Sequence, residues 1–289
     1  MSGASYLYKA KPLKEGYTII VGPENSELRF IEFGRLYLPE VGDEYADKTR
    51  DREVVLTIFN GLCDVEVEGY QKRGDESILY QNIGGREDVF SGRPTMVYLP
   101  RDVECRVKAK TPGVEVGVSK APSENQWPPR LVKPEEVMER TVGAWNWRRR
   151  VYTSIGEWVK ADMLLVGETI NPPGNWSSSP PHKHDTKTDV EAPYEEVYFF
   201  KVKPPQGFGI QRIYTPPDDE EPFDVAYVIE NNDTVVIPRG YHPVVAAPGY
   251  QLYYLWILAG KERRYGAWSD DPRHKWIRDV EPIIMEMVE

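Results

Sequence analysis

The chain has 289 residues, 40% of them hydrophobic, and a formal net charge of −10. That length can bury a sizeable core in two ordinary domains or one large all-β unit, and the acid excess argues against a basic face for nucleic acid or anionic membranes. No apolar run nears the roughly 18 residues needed to span a bilayer, and the opening MSGASYLYKAKPLKEGY has no apolar signal core, so a cytoplasmic protein is expected.

Twenty-five prolines and 23 glycines, with plentiful Tyr, Trp and Val, favour short strands and frequent turns over long helices. The first half supplies β-rich runs in TIIVG, LRFIEFGRLYL, EVVLTIFNG, CDVEVEG, TMVYLP and VECRVKA, separated by turn residues. Cys63 and Cys105 fall inside such runs, far apart, and read as buried and reduced. Residues 118–150 change character. SKAPSENQWPPRLVKP is Pro-rich and polar, PEEVMER reads as one short helix with Pro134 at its first position, and Arg148, Arg149 and Arg150 read as a solvated face. Strands resume in WVKADMLLVGE and continue through YQLYYLWILAG.

The halves resemble each other. TMVYLPRDVECRV matches TVVIPRGYHPVV with Pro100-Arg101 on Pro238-Arg239, and Pro112-Gly113 matches Pro248-Gly249. REVVLTIF matches EEVYFFKV, setting Glu53 on Glu196, and Glu104 takes the place of His242. Repetition at this scale predicts two copies of one β-barrel. The expected division is a metal-free barrel over 1–125, a connector over 126–156 and a metal-binding barrel over 157–289.

The chemistry concentrates in GNWSSSPPHKHDTKTDVEAPYEEVY. His182 and His184, two apart on an extended segment, leave the same face, whereas Lys183 points the other way. Glu196 opens the following strand on the face of Tyr198, with Glu191 and Glu195 as less favoured carboxylates, and His242 follows a Pro-Arg-Gly turn. Three of the chain's four histidines therefore join one carboxylate. The set His182, His184, Glu196 and His242 suits a divalent cation with open coordination positions, Zn or Mn first, Fe or Ni also tolerated. Such an ion can polarise a carbonyl or hydroxyl oxygen.

GNWSSSPPHKHD, EEVYFFKVKPPQGFGIQRIYT and VIPRGYHPVVAAPGYQLYYLWILAG together resemble the bicupin family of 5-deoxy-glucuronate isomerases, and DPRHKW, with His274, resembles its C-terminal end. The resemblance implies two double-stranded β-helix barrels and an aldose–ketose isomerase. It would convert 5-deoxy-glucuronate to 5-dehydro-2-deoxy-gluconate in myo-inositol breakdown. The related 4-deoxy-5-keto-uronate isomerases, a cupin dioxygenase and a non-enzymatic sugar-binding bicupin are the alternatives. A uronate substrate needs a planar donor for its carboxylate, for which Arg212 comes first and Arg239 second. Gln211, next to Arg212, faces the opposite way on a regular strand, so one of the two is structural. Among Tyr198, Tyr214, Tyr241, Tyr253 and Tyr254, Tyr254 is the catalytic candidate, beside Glu196. Strand edges of such chains pair between subunits, so a homo-oligomer is expected.

Overall fold

A computed structural model describes residues 5–70 and 77–288. The first half holds β1 (Leu7–Tyr8), β2 (Gly16–Val21), β3 (Glu32–Leu38), β4 (Glu44–Lys48), β5 (Arg52–Asn60) and β6 (Leu62–Glu68). It continues with β7 (Ile78–Gly84), β8 (Thr95–Leu99), β9 (Glu104–Ala109), β10 (Val114–Pro122) and β11 (Arg130–Val132). The second half holds β12 (Met138–Val142), β13 (Arg149–Ile155), β14 (Leu164–Asn171), β15 (Trp176–Ser177), β16 (His182–Lys183) and β17 (Glu195–Lys203). It ends with β18 (Phe208–Tyr214), β19 (Asp224–Glu230), β20 (Thr234–Ile237), β21 (Val244–Ala246), β22 (Gln251–Ala259), β23 (Ser269–Asp270) and the helix α1 (Trp276–Val288).

Each half pairs a large sheet with a small one, as the expected all-β repeat requires. In the first half the order β11-β8-β5-β10-β3-β2 faces β4-β9-β6-β7; in the second, β1-β20-β17-β22-β14-β13-β12 faces β15-β21-β18-β19. The central strands are apolar on both faces because the large sheets also pack against each other. On β5, Val54, Leu56 and Ile58 fill the first barrel, while Val55 and Phe59 join Phe199, Tyr253 and Leu255 between the halves. On β22, Tyr254, Trp256 and Leu258 turn into the second barrel and Tyr253, Leu255 and Ile257 turn to that shared core. Period-2 alternation thus splits each strand between two cores. Cys63 and Cys105 are free and buried in the first barrel, where burial pushes both thiols up to about 12.

Three expectations change. The stretch 126–156 is not merely a connector, because its backbone donors and acceptors find sheet partners: β11 extends the first half's large sheet on β8, and β12 and β13 form the edge of the second half's. Conversely β1 crosses over to pair with β20, so the divisions at 125 and 156 cut through paired strands. The expected helix after Pro134 is a single 3-10 turn, Pro134–Glu136, since Met138 onward pairs with β13 instead.

The third change is one of register. Leu99, just before Pro100, pairs with Val54, and Ile237, just before Pro238, pairs with Glu196. Val54 is therefore the counterpart of Glu196, and Glu53 that of Glu195; the expected match was one residue off, which exchanges the faces of the strand. The corrected match makes the contacts between halves reciprocal. Glu53 accepts the backbone N–H groups of Asp162, Met163 and Leu164 at 2.7, 2.8 and 2.7 Å. Glu195 accepts those of Arg29 and Phe30 at 2.6 and 2.8 Å, so it points at the first half rather than outward. The turn match itself stands: Asp102 and Gly240 occupy the same place with φ of 57° and 88°, and Glu104 takes the place of His242.

Asp162 ties the start of the 126–156 stretch to the second half. It accepts from the backbone of Glu124 and Asn125 at 2.7 and 2.8 Å, from Ser123 Oγ at 2.7 Å and from Trp127 Nε1 at 2.7 Å. Partial burial opposes ionisation, but these donors outweigh it and hold the carboxyl at about 2. A depressed carboxyl stabilises the fold above its unfolded value near 3.8 and loses that contribution as pH falls toward 2. A shift of this size corresponds to about 2.6 kcal/mol when fully enclosed, and partial exposure reduces it to about 1 kcal/mol. Asp162→Asn is expected to lower urea-unfolding stability by about that amount at pH 7. The two proteins should converge in titrations carried down to pH 2.

Candidate metal centre

The second barrel brings three of the four candidate ligands to one point. His184 lies just beyond β16, Glu196 opens β17 on its barrel-facing side, and His242 sits between β20 and β21; all three are buried. Their ligand atoms lie within 4.8 Å of one another. Glu196 Oε2 is 3.1 Å from His184 Nε2 and 3.2 Å from His242 Nε2.

Backbone contacts fix the two imidazoles. His242 Nδ1 donates to Gly240 O at 2.9 Å, which leaves Nε2 as the lone-pair nitrogen; that atom is enclosed and has no hydrogen bond. Burial pulls this imidazole down to about 4, so it is neutral. His184 Nδ1 lies 3.4 Å from Tyr194 O. Burial also opposes charge on His184, but Glu196 and its hydrogen bond outweigh burial and raise the pKa. The two ligand-bearing turns are linked, because Gly240 N–H donates to Asp185 Oδ2 at 2.7 Å. Gly240 is required there: its φ is 88° and a Cβ would lie 2.6 Å from Tyr214 O. Glu191 accepts from the backbone of Asp185 and Thr186 at 2.8 and 2.9 Å and from Lys183 Nζ at 2.8 Å, so both it and Lys183 brace the turn outside the pocket.

His182, the fourth candidate, lines the same pocket beside this trio. Its ring is 5.0 Å from that of His242, the same separation as between His184 and His242; it also stacks at 26° on Trp268, 5.0 Å away, and burial keeps it neutral. An enclosed lone pair on His242 and a carboxylate between two imidazole Nε2 atoms fit a divalent transition metal. His184, Glu196 and His242 would hold it, with His182 adjacent.

His184 and Glu196 of the trio, together with His182, line a cavity of about 170 Å³, walled also by Thr169, Ser177, Tyr198, Tyr254, Trp256 and Tyr265 among others. Tyr254 shares a short hydrogen bond with Ser177 Oγ, and its ring lies 4.4 Å from that of Tyr198. Burial raises both phenols, so each is a hydroxyl donor rather than a base. Tyr253, one residue before Tyr254, faces the other core; Tyr214, Tyr241 and His274 lie outside the lining.

The expected arginines do not face this cavity. Arg212 turns outward on β18 and forms a forked pair with Asp224, at 2.8 and 2.6 Å, because alternation gives the inward position to Gln211. Arg239 pairs with Asp219 and donates to Glu221 O at 2.6 Å. Gln211 is buried, but its Nε2 donates to His242 O at 2.7 Å and Pro243 O at 3.1 Å, so it positions the ligand turn instead of contacting a substrate. The guanidinium groups in the wall belong to Arg149 and Arg140. Arg148 and Arg150 are exposed as expected of a solvated run, but alternation along β13 turns Arg149 inward beside Val151. Arg140 and Val142 occupy the facing positions on β12.

Two fused antiparallel barrels, one with inward imidazoles and a carboxylate, define a bicupin. Among solved structures, an IolB-like protein from Salmonella typhimurium LT2 superposes with a TM-score of 0.86 at 32% identity, over 95% of this chain and 100% of that one. The oxalate decarboxylase of Lactobacillus farciminis shares the fold, with a TM-score of 0.65 at 11% identity over 90% of this chain and 85% of that one. The 5-deoxy-glucuronate isomerase of Geobacillus kaustophilus is 38% identical over 93% of both chains, and that of Bacillus subtilis strain 168 is 35% identical over 89% and 91%. The model of the KduI/IolB family matches residues 6–277, and the chain belongs to that family. Among the described residues, no helix is long and apolar enough to cross a membrane.

Proposed function

We propose that this isomerase converts 5-deoxy-glucuronate to 5-dehydro-2-deoxy-gluconate with a divalent cation, in the myo-inositol breakdown that the family likeness implies. The observation that carries the reading is the convergence of His184 Nε2, Glu196 Oε2 and His242 Nε2 beside a hydroxyl-walled cavity that His184 and Glu196 line, in a chain alike over its length to 5-deoxy-glucuronate isomerases. When bound, the cation supplies Lewis-acid polarisation of the substrate's carbonyl. Mn and Zn suit the donor set best; the structurally similar Bacillus subtilis oxalate decarboxylase is a protein with Mn(II) centres.

The chain's own residues then bind and move protons. The reaction takes a proton from the carbon beside the aldehyde and returns one to the neighbouring carbon. Glu196, the carboxylate of the cavity wall, is the acceptor, and Tyr254, kept protonated by burial, donates to a substrate oxygen. Trp256, Trp268 and Tyr265 offer flat apolar surfaces to the sugar's C–H faces, beside hydroxyls for its polar edge. This mixed wall with two guanidinium groups is ill suited to the apolar substrate expected of a dioxygenase.

The test is a proton NMR time course of 5-deoxy-glucuronate in D₂O with metal-replete protein. Growth of ketose signals at the expense of the aldehyde supports the reading; an unchanged spectrum over hours would overturn it. In the same assay Tyr254→Phe is expected to slow turnover about 100-fold, the usual worth of a positioned proton donor. Wild-type rates in that variant would remove the hydroxyl from the mechanism.

A further inference from the structure

Arg149 differs from arginines that are held by a carboxylate. Arg35, Arg86, Arg212 and Arg239 each make an ion pair with a carboxylate; Arg149, among the described residues, makes none. One protein hydrogen bond holds it, from Nη1 to Trp147 O at 3.2 Å. Its Nε is enclosed with no partner, and among the described residues Nη2 makes no hydrogen bond either. Burial pulls the guanidinium pKa down although Glu281, which accepts from Trp147 Nε1 at 2.8 Å without touching Arg149, acts the other way. In a chain with 46 acidic residues against 36 basic ones, leaving an inward arginine without a carboxylate in ion-pair contact is a specific arrangement.

The Nη1 corner of the guanidinium is fixed by its surroundings. Gly143, with φ of 81°, lies where a Cβ would come within 2.9 Å of Arg149 Nη1 and 2.2 Å of Trp147 O, so only glycine leaves room for the side chain to lie as it does. Arg149 and His182 feel each other electrostatically, and Tyr198 and Tyr254 lie in the same field. Arg140, by contrast, is exposed, directs Nε and Nη2 to the Met138 sulfur and lies over the Tyr265 ring. It belongs to the rim.

We propose that the Nε–Nη2 edge of Arg149 binds the carboxylate of the substrate and makes the cavity selective for a sugar acid over its neutral counterpart. This deepens the isomerase reading and rests on it for the identity of the acid. Two parallel N–H donors match the two oxygens of a carboxylate, and an enclosed, pre-oriented fork loses little freedom on binding. The ligand provides the missing counter-ion. With the acid end on Arg149 of β13, the sugar lies along the cavity with its carbonyl end toward Glu196, which lines the same cavity. The selectivity device is thus carried by the stretch linking the barrels.

The test uses Arg149→Met and Arg149→Lys in the full-length, metal-replete protein. For wild type and variants, kcat/KM is measured on 5-deoxy-glucuronate and on the same aldose with its carboxylate reduced to CH₂OH. Binding of D-gluconate, an inert carboxylate without an aldehyde, is measured by calorimetry against D-glucitol. Arg149→Met should lower kcat/KM for the acid at least about 100-fold, mostly through KM, and leave the neutral sugar within about threefold. Gluconate affinity should fall at least about tenfold, and Arg149→Lys should recover part of it, since it keeps charge but not the fork. The thermal midpoint of Arg149→Met should stay level or rise, because an enclosed unpaired charge is removed. Equal losses on acid and neutral sugars, unchanged gluconate binding, or gluconate that fails to bind wild type would each overturn the proposal. Arg149-dependent gluconate binding without isomerisation would instead keep this site and overturn the isomerase reading.

Discussion

His242→Ala is expected to lower affinity for the divalent cation at least about 100-fold, since loss of a ligand exceeds the roughly 10–100-fold cost of losing an outer partner. Turnover should fall with metal content, and far-UV circular dichroism should not change. The reason lies in how the ring is held. Its Nδ1 proton is committed to Gly240 O, and Nε2 is enclosed with no hydrogen bond, so the nitrogen has no role in the fold that a cation does not share. Elemental analysis after dialysis, with His274→Ala as the control outside the pocket, provides the measurement. A variant that keeps both metal and activity would remove His242 from the centre.

The second large effect concerns the joint between the halves. Arg86 donates to both oxygens of Glu168, at 2.8 and 2.6 Å, and to the carbonyls of Ile58 and Phe59; Tyr253 donates to Glu168 at 2.7 Å. Arg86→Ala leaves a buried carboxylate without its cation and should cost about 3–5 kcal/mol. That is a fall of roughly 10 °C in thermal midpoint for a chain of this size. The double variant Arg86→Met with Glu168→Leu should be much closer to wild type, because no charge is stranded. Urea unfolding of both variants decides; a single variant within 1 kcal/mol of wild type, roughly the worth of a surface pair, would contradict the assignment. Turnover should fall as well. Glu168 precedes Thr169 and Tyr253 precedes Tyr254, so loosening one face of β14 and β22 moves the wall of the cavity on the other.

Much of this was legible in the residues. Alternating apolar runs gave the all-β repeat, and three of four histidines near one carboxylate pointed to a candidate metal centre, of which His184, Glu196 and His242 converge in the fold. What was hidden depended on parity. A strand's two faces differ by one residue, so matching Glu53 to Glu196 instead of Glu195 exchanged a contact between halves for a ligand position. The same sensitivity misled the choice of arginines. Arg212 and Arg239 lie in family-like strings near the ligands, but Asp224 and Asp219, which pair with them, are 12 and 20 residues away in the chain. Arg149 stood in a run of three arginines that composition alone reads as solvated. Only the register of β13 against β12 separates it from its neighbours. The 126–156 stretch looked like linker because its Pro-rich start outweighed three short strands, two of which, β11 and β13, find partners outside it.

Glu53 and Glu195 make the molecule a fused version of an isologous dimer, in which each half offers the same carboxylate to the same place on the other. On β17 that carboxylate is followed immediately by Glu196, pointing the opposite way into the cavity; on β5 the corresponding neighbour is Val54, packed in a closed apolar barrel. A strand with a two-residue period can therefore change what it does on one side while keeping its bond to its twin on the other. Assembly and chemistry are written on alternate letters of one segment, and one of them can be erased without blurring the other.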